Sequence, residues 1–213
     1  MRYIIILIIM VNIAICQQTY EIPFNSKDNI IELSISNNSA LTAEDIKVEA
    51  TDIPKGITFT EESVVLKEIK SKEEQTAVFS FSVDKTATIN KEQTISFTIK
   101  DKTGQQWTKE IKIRVTPPQT FELYQNYPNP FNPTTTISYQ LPDAGTRFIV
   151  SLNIYDILGR EVIAINTEQP SGYYEQRIVA TKLSSGVYVY RIHAKPMDGG
   201  KSYISTRKMV VMN

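Results

Sequence analysis

Very few side chains in this sequence are of the types that perform acid–base or nucleophilic chemistry. The chain of 213 residues contains one histidine, His193, and one cysteine, Cys16. A Ser-His-Asp triad, a Cys-His pair or a zinc site needs several such groups within reach of one another. His193 follows Tyr188, Tyr190 and Arg191 in a strand-like run, which favours a structural role. The sequence therefore predicts no catalytic residue, no metal-binding residue and no cofactor.

Carboxylates are the remaining groups that could perform enzymatic chemistry. Three pairs of acidic residues are adjacent in the sequence and are the candidates. The pairs are Glu44-Asp45, Glu61-Glu62 and Glu73-Glu74. Neighbouring side chains in a strand point to opposite faces, so such a pair cannot act on one substrate as glycosidase carboxylates do. We interpret the pairs as solvated surface and predict that the protein is not an enzyme.

Trp107 is the aromatic residue with two plausible roles. It has the same parity as Ile111, Ile113 and Val115, which predicts a tryptophan that packs at one end of a buried face. Lys109 has this parity too, which suggests that this end of the strand opens to solvent. A stacking platform for a sugar or peptide therefore stays open as the alternative, and Tyr20 and Phe24 have the same ambiguity.

The charge balance excludes partners that are recognised mainly by electrostatics. Lysine and arginine number 23, and aspartate and glutamate also number 23. Without an excess of one sign, the chain has no broad field that would attract nucleic acid or anionic lipid. We therefore expect no nucleic-acid partner.

Residues 1–16 have the pattern of a secretory signal peptide. A short basic start precedes a nearly unbroken apolar run from Ile4 to Ile15, which is too short to span a bilayer. Small residues at Ala14 and Cys16 predict cleavage before Gln17. The alternative is lipidation of Cys16, but Ile15 is not the small residue expected before a lipidated cysteine. With simple cleavage the mature protein has no thiol and no disulfide.

Residues 17–117 contain short alternations of apolar and polar residues that are typical of strands with one buried face. The runs are Ile31-Leu33-Ile35, Ile46-Val48-Ala50, Phe79-Phe81-Val83, Ile95-Phe97-Ile99 and Ile111-Ile113-Val115. The segment from Asp101 to Gly104 has the composition of a hairpin turn. About seven strands in this length predict an immunoglobulin-like β-sandwich.

Residues 118–133 are rich in proline, and residues 134–213 again alternate as strands. Pro128, Pro130 and Pro133 fix φ and lack backbone donors, which predicts an extended connector between two domains. Strands with buried faces are expected after it, for example Phe148-Val150-Leu152-Ile154. The predicted fold class is all-β: two consecutive β-sandwich domains after a signal peptide.

Four motifs in this second half resemble, in order and spacing, the type A C-terminal sorting domain of the type IX secretion system. The residues that carry the resemblance are Pro128, Asn129, Pro130, Phe131, Asn132 and Pro133; Tyr155, Asp156, Gly159 and Arg160; Gly186, Tyr188 and Tyr190; and Lys208 and Met209. Gly159 and Gly186 are also expected in turns.

The resemblance implies where the protein goes. Members of the family are found in Bacteroidetes, Chlorobi and their relatives. They enter the periplasm by the Sec route and then cross the outer membrane to the cell surface or the medium. The implied partners are the secretion machinery and its sorting protease, with surface polysaccharide or lipopolysaccharide as a further partner class.

Residues 17–117 resemble, less specifically, bacterial immunoglobulin-like domains that occur in surface proteins or beside carbohydrate-acting ones. The resemblance lies in the segments 53–59 and 73–83. It implies a structural or adhesive passenger, and a carbohydrate-binding module is the alternative. A fold likeness does not decide between them.

Overall fold

The chain forms two compact units, Met1–Thr116 and Pro117–Asn213. The computed structural model describes the backbone of residues 3–8 and all of residues 18–212. The expected cleavage between Cys16 and Gln17 lies outside the described residues, so the signal peptide stays a prediction.

The N-terminal unit is a two-sheet β-sandwich, as its period-two alternation predicts. Its strands are β1 (Tyr3–Ile8), β2 (Thr19–Pro23), β3 (Asn29–Ser36), β4 (Ala43–Asp52), β5 (Ile57–Phe59), β6 (Ser63–Ile69), β7 (Glu74–Val83), β8 (Glu92–Lys100) and β9 (Gln106–Thr116). One sheet has the order β1-β3-β7-β5, and the other has the order β2-β9-β8-β4-β6. Strand β1 pairs in parallel with β3, and β2 pairs in parallel with β9.

The core of this unit lies between the two sheets and is rich in phenylalanine. Phe59, Phe79 and Phe97 contact one another with ring centroids 5.0–6.0 Å apart. Alternate residues from Ile95 to Ile99 in β8 and from Ile111 to Val115 in β9 are buried in this core. The core is therefore formed by the aromatic and branched side chains that each strand directs towards the interior.

The C-terminal unit is a second sandwich with a three-stranded and a four-stranded sheet. Its strands are β10 (Glu122–Leu123), β11 (Thr134–Leu141), β12 (Phe148–Tyr155), β13 (Glu161–Gln169), β14 (Gly172–Val179), β15 (Gly186–Pro196) and β16 (Tyr203–Val211). The sheet orders are β10-β11-β14 and β13-β12-β15-β16. Phe148, Val150, Leu152 and Ile154 all lie in the core, which confirms the parity predicted for β12.

The all-β fold class is confirmed. In residues 3–8 and 18–212 there is no helix that is long and apolar enough to cross a membrane.

The interpretation of residues 118–133 as an extended connector is wrong. Leu123 pairs with Tyr139 of β11, and Tyr127 forms a β-bridge with Thr136. The side chains of Leu123 and Phe131 lie in the core of the C-terminal unit. Proline does keep the segment out of helices and central strands, but that leaves it free to pack along a sheet instead of spanning open solvent.

Candidate functional site

Three hydrogen bonds hold the proline-rich segment against the last strand of the C-terminal unit, two between backbone groups and one to a side-chain oxygen. Phe131 donates its N–H to the carbonyl of Val210 at 3.1 Å, and Met212 donates to the carbonyl of Phe131 at 2.9 Å. The N–H of Val210 donates to the side-chain oxygen of Asn129 at 2.9 Å. We call residues 123–133 the clasp. It brings the first motif of the sequence into contact with the last one.

Two further hydrogen bonds, one from a side chain of the clasp and one from a side chain of β16, join the start of the clasp to this strand. Gln125 donates its amide to the carbonyl of Lys208 at 2.7 Å. The guanidinium of Arg207 donates to the carbonyl of Leu123 at 3.1 Å. Strand β16 therefore has neighbours on both edges, β15 on one side and the clasp on the other, and does not present an open edge along this stretch.

A small buried network of polar groups holds the clasp in position. The amide of Asn126 donates to the Thr135 hydroxyl at 2.9 Å and to the Pro128 carbonyl at 3.0 Å. The Thr135 hydroxyl donates to the same carbonyl at 2.8 Å. Because Asn126 and Thr135 are buried and each has its partners, the network fixes the path of the clasp without leaving an unsatisfied group.

Tyr190 links the third motif to the clasp. Its hydroxyl donates to the carbonyl of Tyr124 at 2.9 Å and accepts from the N–H of Asn126 at 2.9 Å. The ring is fully buried, and this burial raises the pKa of the Tyr190 phenol. The residue thus belongs to the core and to the polar network at once.

Phe131 is the apolar anchor of the motif, and its neighbours in the sequence face solvent. Its side chain is 2% exposed, whereas Tyr127 in the same segment is 83% exposed. Pro128, Pro130 and Asn132 are exposed as well. The motif therefore has one side that holds the domain together and another that is open to a partner.

The second motif is a rigid turn between β12 and β13. Asp156 accepts from the backbone N–H groups of Leu158 and Arg160 and pairs with the Arg160 guanidinium at 2.7 Å. Gly159 has φ +78°, a conformation that glycine adopts without strain. The turn predicted here is confirmed. At its tip, the side chains of Ile157 and Leu158 are 79% and 72% exposed.

Tyr155 lies at the end of β12, just before the turn. It pairs with Val189, and the guanidinium of Arg191 stands 5.5 Å from the centre of its ring. The second motif therefore contacts strand β15, where the third motif lies.

The remaining motif residues lie on the paired strands β15 and β16. Tyr188 is paired with Met209, and both are buried. Lys208 is exposed. Gly186 is the first residue of β15 and pairs with Val211, so it lies in a strand and the expected turn is wrong at this position.

Sequence reasoning did not identify Gln125, Asn126 and Thr135 as part of this arrangement. Their partners are mostly remote in the chain: Gln125 bonds to residue 208, and the backbone of Asn126 bonds to Tyr190. The available signal was a pair of amide side chains directly before the proline motif, which is a composition that favours local capping of the backbone.

Tyr139 provides a pH prediction for the C-terminal unit. Burial, with a smaller effect of Tyr174, raises the pKa of this 3% exposed phenol to about 12. Folding therefore favours the neutral form. The resulting stability is fully present below about pH 10, the ordinary pKa of tyrosine, and is lost as the pH rises towards 12. We expect the unfolding free energy to fall by up to about 3 kcal/mol over that interval.

Urea unfolding at pH 8, 10 and 11.5, followed by tyrosine circular dichroism, measures this loss. Tyr139→Phe is the matched variant, because it keeps the ring and removes the titrating group. It should be less sensitive to pH than the wild type, and an identical pH dependence would contradict the assignment to Tyr139.

The N-terminal unit has a cavity of about 160 Å³ at one end of the sandwich. Its lining residues are Ile35, Ser36, Asn37, Asn38, Ser39, Ala43, Ile46, Ile69, Ile99, Asp101, Gln105 and Trp107. Trp107 is partly buried and packs against the core while it forms one wall of the cavity. Both roles considered for this residue are therefore compatible with its position.

Two loops frame the cavity. In one, Asn37 donates its amide to the carbonyls of Leu41 and Ile69 and accepts from Ser39. In the other, one oxygen of Asp101 accepts from the N–H groups of Thr103 and Gln105. These bonds hold both loops in place, so the opening has a defined shape.

The residues considered for chemistry are dispersed over the surface. His193 is exposed in β15. Glu44 pairs with Lys102 at 2.7 Å, and Glu74 accepts from the Ser36 hydroxyl. Among the described residues there is no group of three or more histidine, cysteine, aspartate or glutamate side chains that would hold a metal ion.

Comparison with known families identifies the C-terminal unit. Residues 125–211 match the model of the secretion system C-terminal sorting domain. This range begins inside the clasp, so the part of the chain that matches the family includes the proline motif. No curated protein matches the chain.

Solved structures that align with this chain include dimeric latent PorU from Porphyromonas gingivalis, at 16% identity and a TM-score of 0.37. The alignment covers 92% of this chain and 19% of PorU, so the chain spans about a fifth of that protein's length. The calcium-binding domain CBD12 of CALX1.1 aligns at 10% identity over 88% of this chain and 78% of its own, with a TM-score of 0.38. A tandem repeat of a large adhesion protein aligns at 14% identity over 86% and 49%, with a TM-score of 0.35.

The C-terminal domain of this chain is a sorting domain of the type IX secretion system. It is a non-catalytic domain that interacts with the secretion machinery, and its presence indicates export to the cell surface or the extracellular space.

Proposed function

We propose that this protein is an exported, non-enzymatic surface or secreted protein whose N-terminal immunoglobulin-like module is a structural or adhesive passenger. The observation that supports this most strongly is the match of residues 125–211 to the sorting-domain family. The domain order that we propose is a signal peptide in residues 1–16, whose removal takes β1 from the sheet, the passenger in residues 17–117 and the sorting domain after it. The clasp is part of the sorting domain in this arrangement.

The surface of the passenger supports a passive role. Its charged residues pair with each other on exposed sheet faces, as in Lys47 with Glu49 and Lys112 with Glu92, both at 2.8–2.9 Å. Exposed pairs of this kind contribute little to stability and serve mainly to keep a surface soluble. Such a surface suits a spacer or an adhesive element better than an enzyme.

Processing by a sorting protease fits the boundary between the two units. Gln119 and Thr120 are exposed and lie outside the strands. An exposed segment of irregular backbone is the kind of site that proteases cleave. We propose that cleavage in this region releases the passenger or allows its attachment to surface polysaccharide or lipopolysaccharide.

The N-terminal sequence and intact mass of the product test this account. The protein is expressed in a host with the secretion system, and the periplasm, the membranes and the medium are separated. We expect an extracellular product that begins at Gln17, either intact or shortened near Thr120. A product that keeps residues 1–16 would contradict the signal peptide, and a lipid mass on Cys16 would establish the lipoprotein alternative.

Carbohydrate binding by the passenger is a second candidate function, and the cavity beside Trp107 favours it. A partly exposed indole next to polar loops is a common arrangement for stacking against a sugar ring. This candidate leaves the export route unchanged and differs only in what the passenger does at the surface.

Trp107→Ala separates the two passenger roles. If the module binds glycans through this residue, the variant should lose retention in affinity gels that contain surface polysaccharide, because the stacking surface is gone. Thermal unfolding serves as the control, since Trp107 is only partly buried and Ile99 and Ile111 keep the adjacent core. Equal retention of both proteins would exclude a glycan site at Trp107.

A further inference from the structure

We propose that the cavity beside Trp107 binds a single neutral sugar ring, such as a terminal or branch residue of a glycan. This inference rests on the carbohydrate-binding candidate above and specifies its ligand.

The size of the cavity limits the ligand to one ring. Its volume is about 160 Å³. A protein cavity of about 150 Å³ holds one benzene molecule, so the six-atom ring of one pyranose fills the space while its hydroxyls lie at the opening, and a second ring has no room. A ligand that enters must therefore present a single ring, which in a glycan means an end or a branch.

The walls of the cavity combine an apolar floor with an aromatic side. Ile46, Ile69 and Ile99 form the floor, and the three side chains belong to the core of the sandwich. Trp107 forms the side. One face of a pyranose ring consists of C–H groups, which favour contact with apolar and aromatic surface, while its hydroxyls require polar partners at the rim.

The rim supplies those polar partners. One oxygen of Asp101 accepts three hydrogen bonds from its own loop, and none of these three bonds involves the other oxygen. The side chains of Asn38 and Gln105 are exposed at the same opening. A carboxylate and two amides can accept from and donate to the hydroxyls of one ring.

The charge at the rim favours a neutral ring over an acidic one. Hydrogen bonding from Thr103 lowers the pKa of Asp101, so the carboxylate is ionised at neutral pH. The neighbouring Lys102 is paired with Glu44 at 2.7 Å, which offsets the one nearby positive charge of this loop. On the other loop, the ammonium of Lys72 donates to the carbonyl of Asn38 at 2.6 Å. A uronic acid whose carboxylate lies on the Asp101 side of the rim would therefore meet a negative charge, and the lysine of that loop is already paired.

Tryptophan fluorescence tests the inference directly, because Trp107 is the single tryptophan of the chain. The full chain is titrated with methyl glucoside and methyl galactoside, with glucuronate as the acidic sugar and with benzyl alcohol as a ring without a sugar's hydroxyls. We expect a saturable change with a neutral glycoside and binding of glucuronate that is weaker by about tenfold or more, as for a repelled, unpaired charge.

Two variants assign the binding to the rim. Asp101→Asn keeps the oxygen that holds the loop and removes the charge, so it should raise the affinity for glucuronate relative to the neutral glycoside. Gln105→Ala should lower the affinity for the neutral glycoside by about fivefold, which corresponds to the loss of one hydrogen bond. Lys109→Ala, on the same strand as Trp107 but not in the cavity lining, is the matched control and should bind as the wild type does.

The outcomes distinguish this inference from the carbohydrate-binding candidate on which it rests. If polysaccharide retards the chain in affinity gels but none of the glycosides changes the fluorescence, the candidate stands and the cavity is the wrong site. If neither measurement shows binding, both the carbohydrate-binding candidate and the proposed sugar site are wrong. Saturation by benzyl alcohol alone would show that the cavity takes an apolar ring, and it would overturn the assignment to a sugar.

Discussion

A chain that ends at Pro118 is expected to accumulate in the periplasm and to disappear from the cell surface and the medium. The truncation leaves the N-terminal sandwich complete, because its last strand ends at Thr116. It removes all four motifs of the sorting domain and with them the surface that the secretion machinery recognises. The loss of extracellular protein should therefore be close to complete. Immunoblots of separated periplasm, membrane and medium measure it.

Trp107→Ala in the full-length chain is the control for this truncation. It changes the passenger and leaves the sorting domain intact, so its export should equal that of the wild type. Equal export of the truncated and the full-length chain would mean that the C-terminal domain has no sorting role in this protein.

Phe131→Ala is expected to destabilise the C-terminal domain by about 3–5 kcal/mol, the usual cost of removing a buried phenylalanine ring. The side chain is 2% exposed and lies in the core of that domain. Its backbone forms both of the backbone hydrogen bonds that join the clasp to Val210 and Met212. Since small domains have about 5–15 kcal/mol of stability, this single change removes a large part of it.

Tyr127→Ala is the matched control, because Tyr127 lies in the same clasp and is 83% exposed. Its effect should stay within about 0.5 kcal/mol, as is usual for surface positions. Urea unfolding separates the domains: Trp107 fluorescence reports on the N-terminal sandwich, and far-ultraviolet circular dichroism reports on both. Equal destabilisation by the two variants would contradict the role of Phe131 as the anchor of the clasp.

The alternation of apolar residues was sufficient to predict the long strands of both cores, such as β12. Phe148 and Leu152 are buried on one side of β12, while Ile149 and Ser151 between them are not. A strand with one buried face repeats this pattern within a few residues, so the information is local. The turn at Asp156–Arg160 was predictable for the same reason, since its hydrogen bonds join residues that are close in the chain.

The clasp was not predictable in this way. Proline content correctly excluded a helix and a central strand, but it left open whether the segment packs against the domain. The bonds that decide this join residues far apart, such as Asn129 to Val210 and Gln125 to Lys208. A local pattern contains no information on such partners, so the segment looked like a connector.

Trp107 shows a second limit of sequence reasoning. Parity predicted a residue that packs at the end of the core, and Lys109 suggested that this end is open. The structure bears out the partial packing, and it adds the cavity, whose walls come from the segments 35–46, 69 and 99–107. Residues that are remote in the chain and converge in this way are identified only once the sheets are assembled.

The most direct test of the central claim is to fuse residues 117–213 to a reporter protein that carries a Sec signal peptide. The fusion is produced in a host with the type IX system and in the same host without it. We predict that the reporter reaches the surface or the medium only when the system is present, and that Phe131→Ala reduces this export. A reporter that stays in the periplasm of both hosts would contradict the claim that this domain is sufficient to direct secretion.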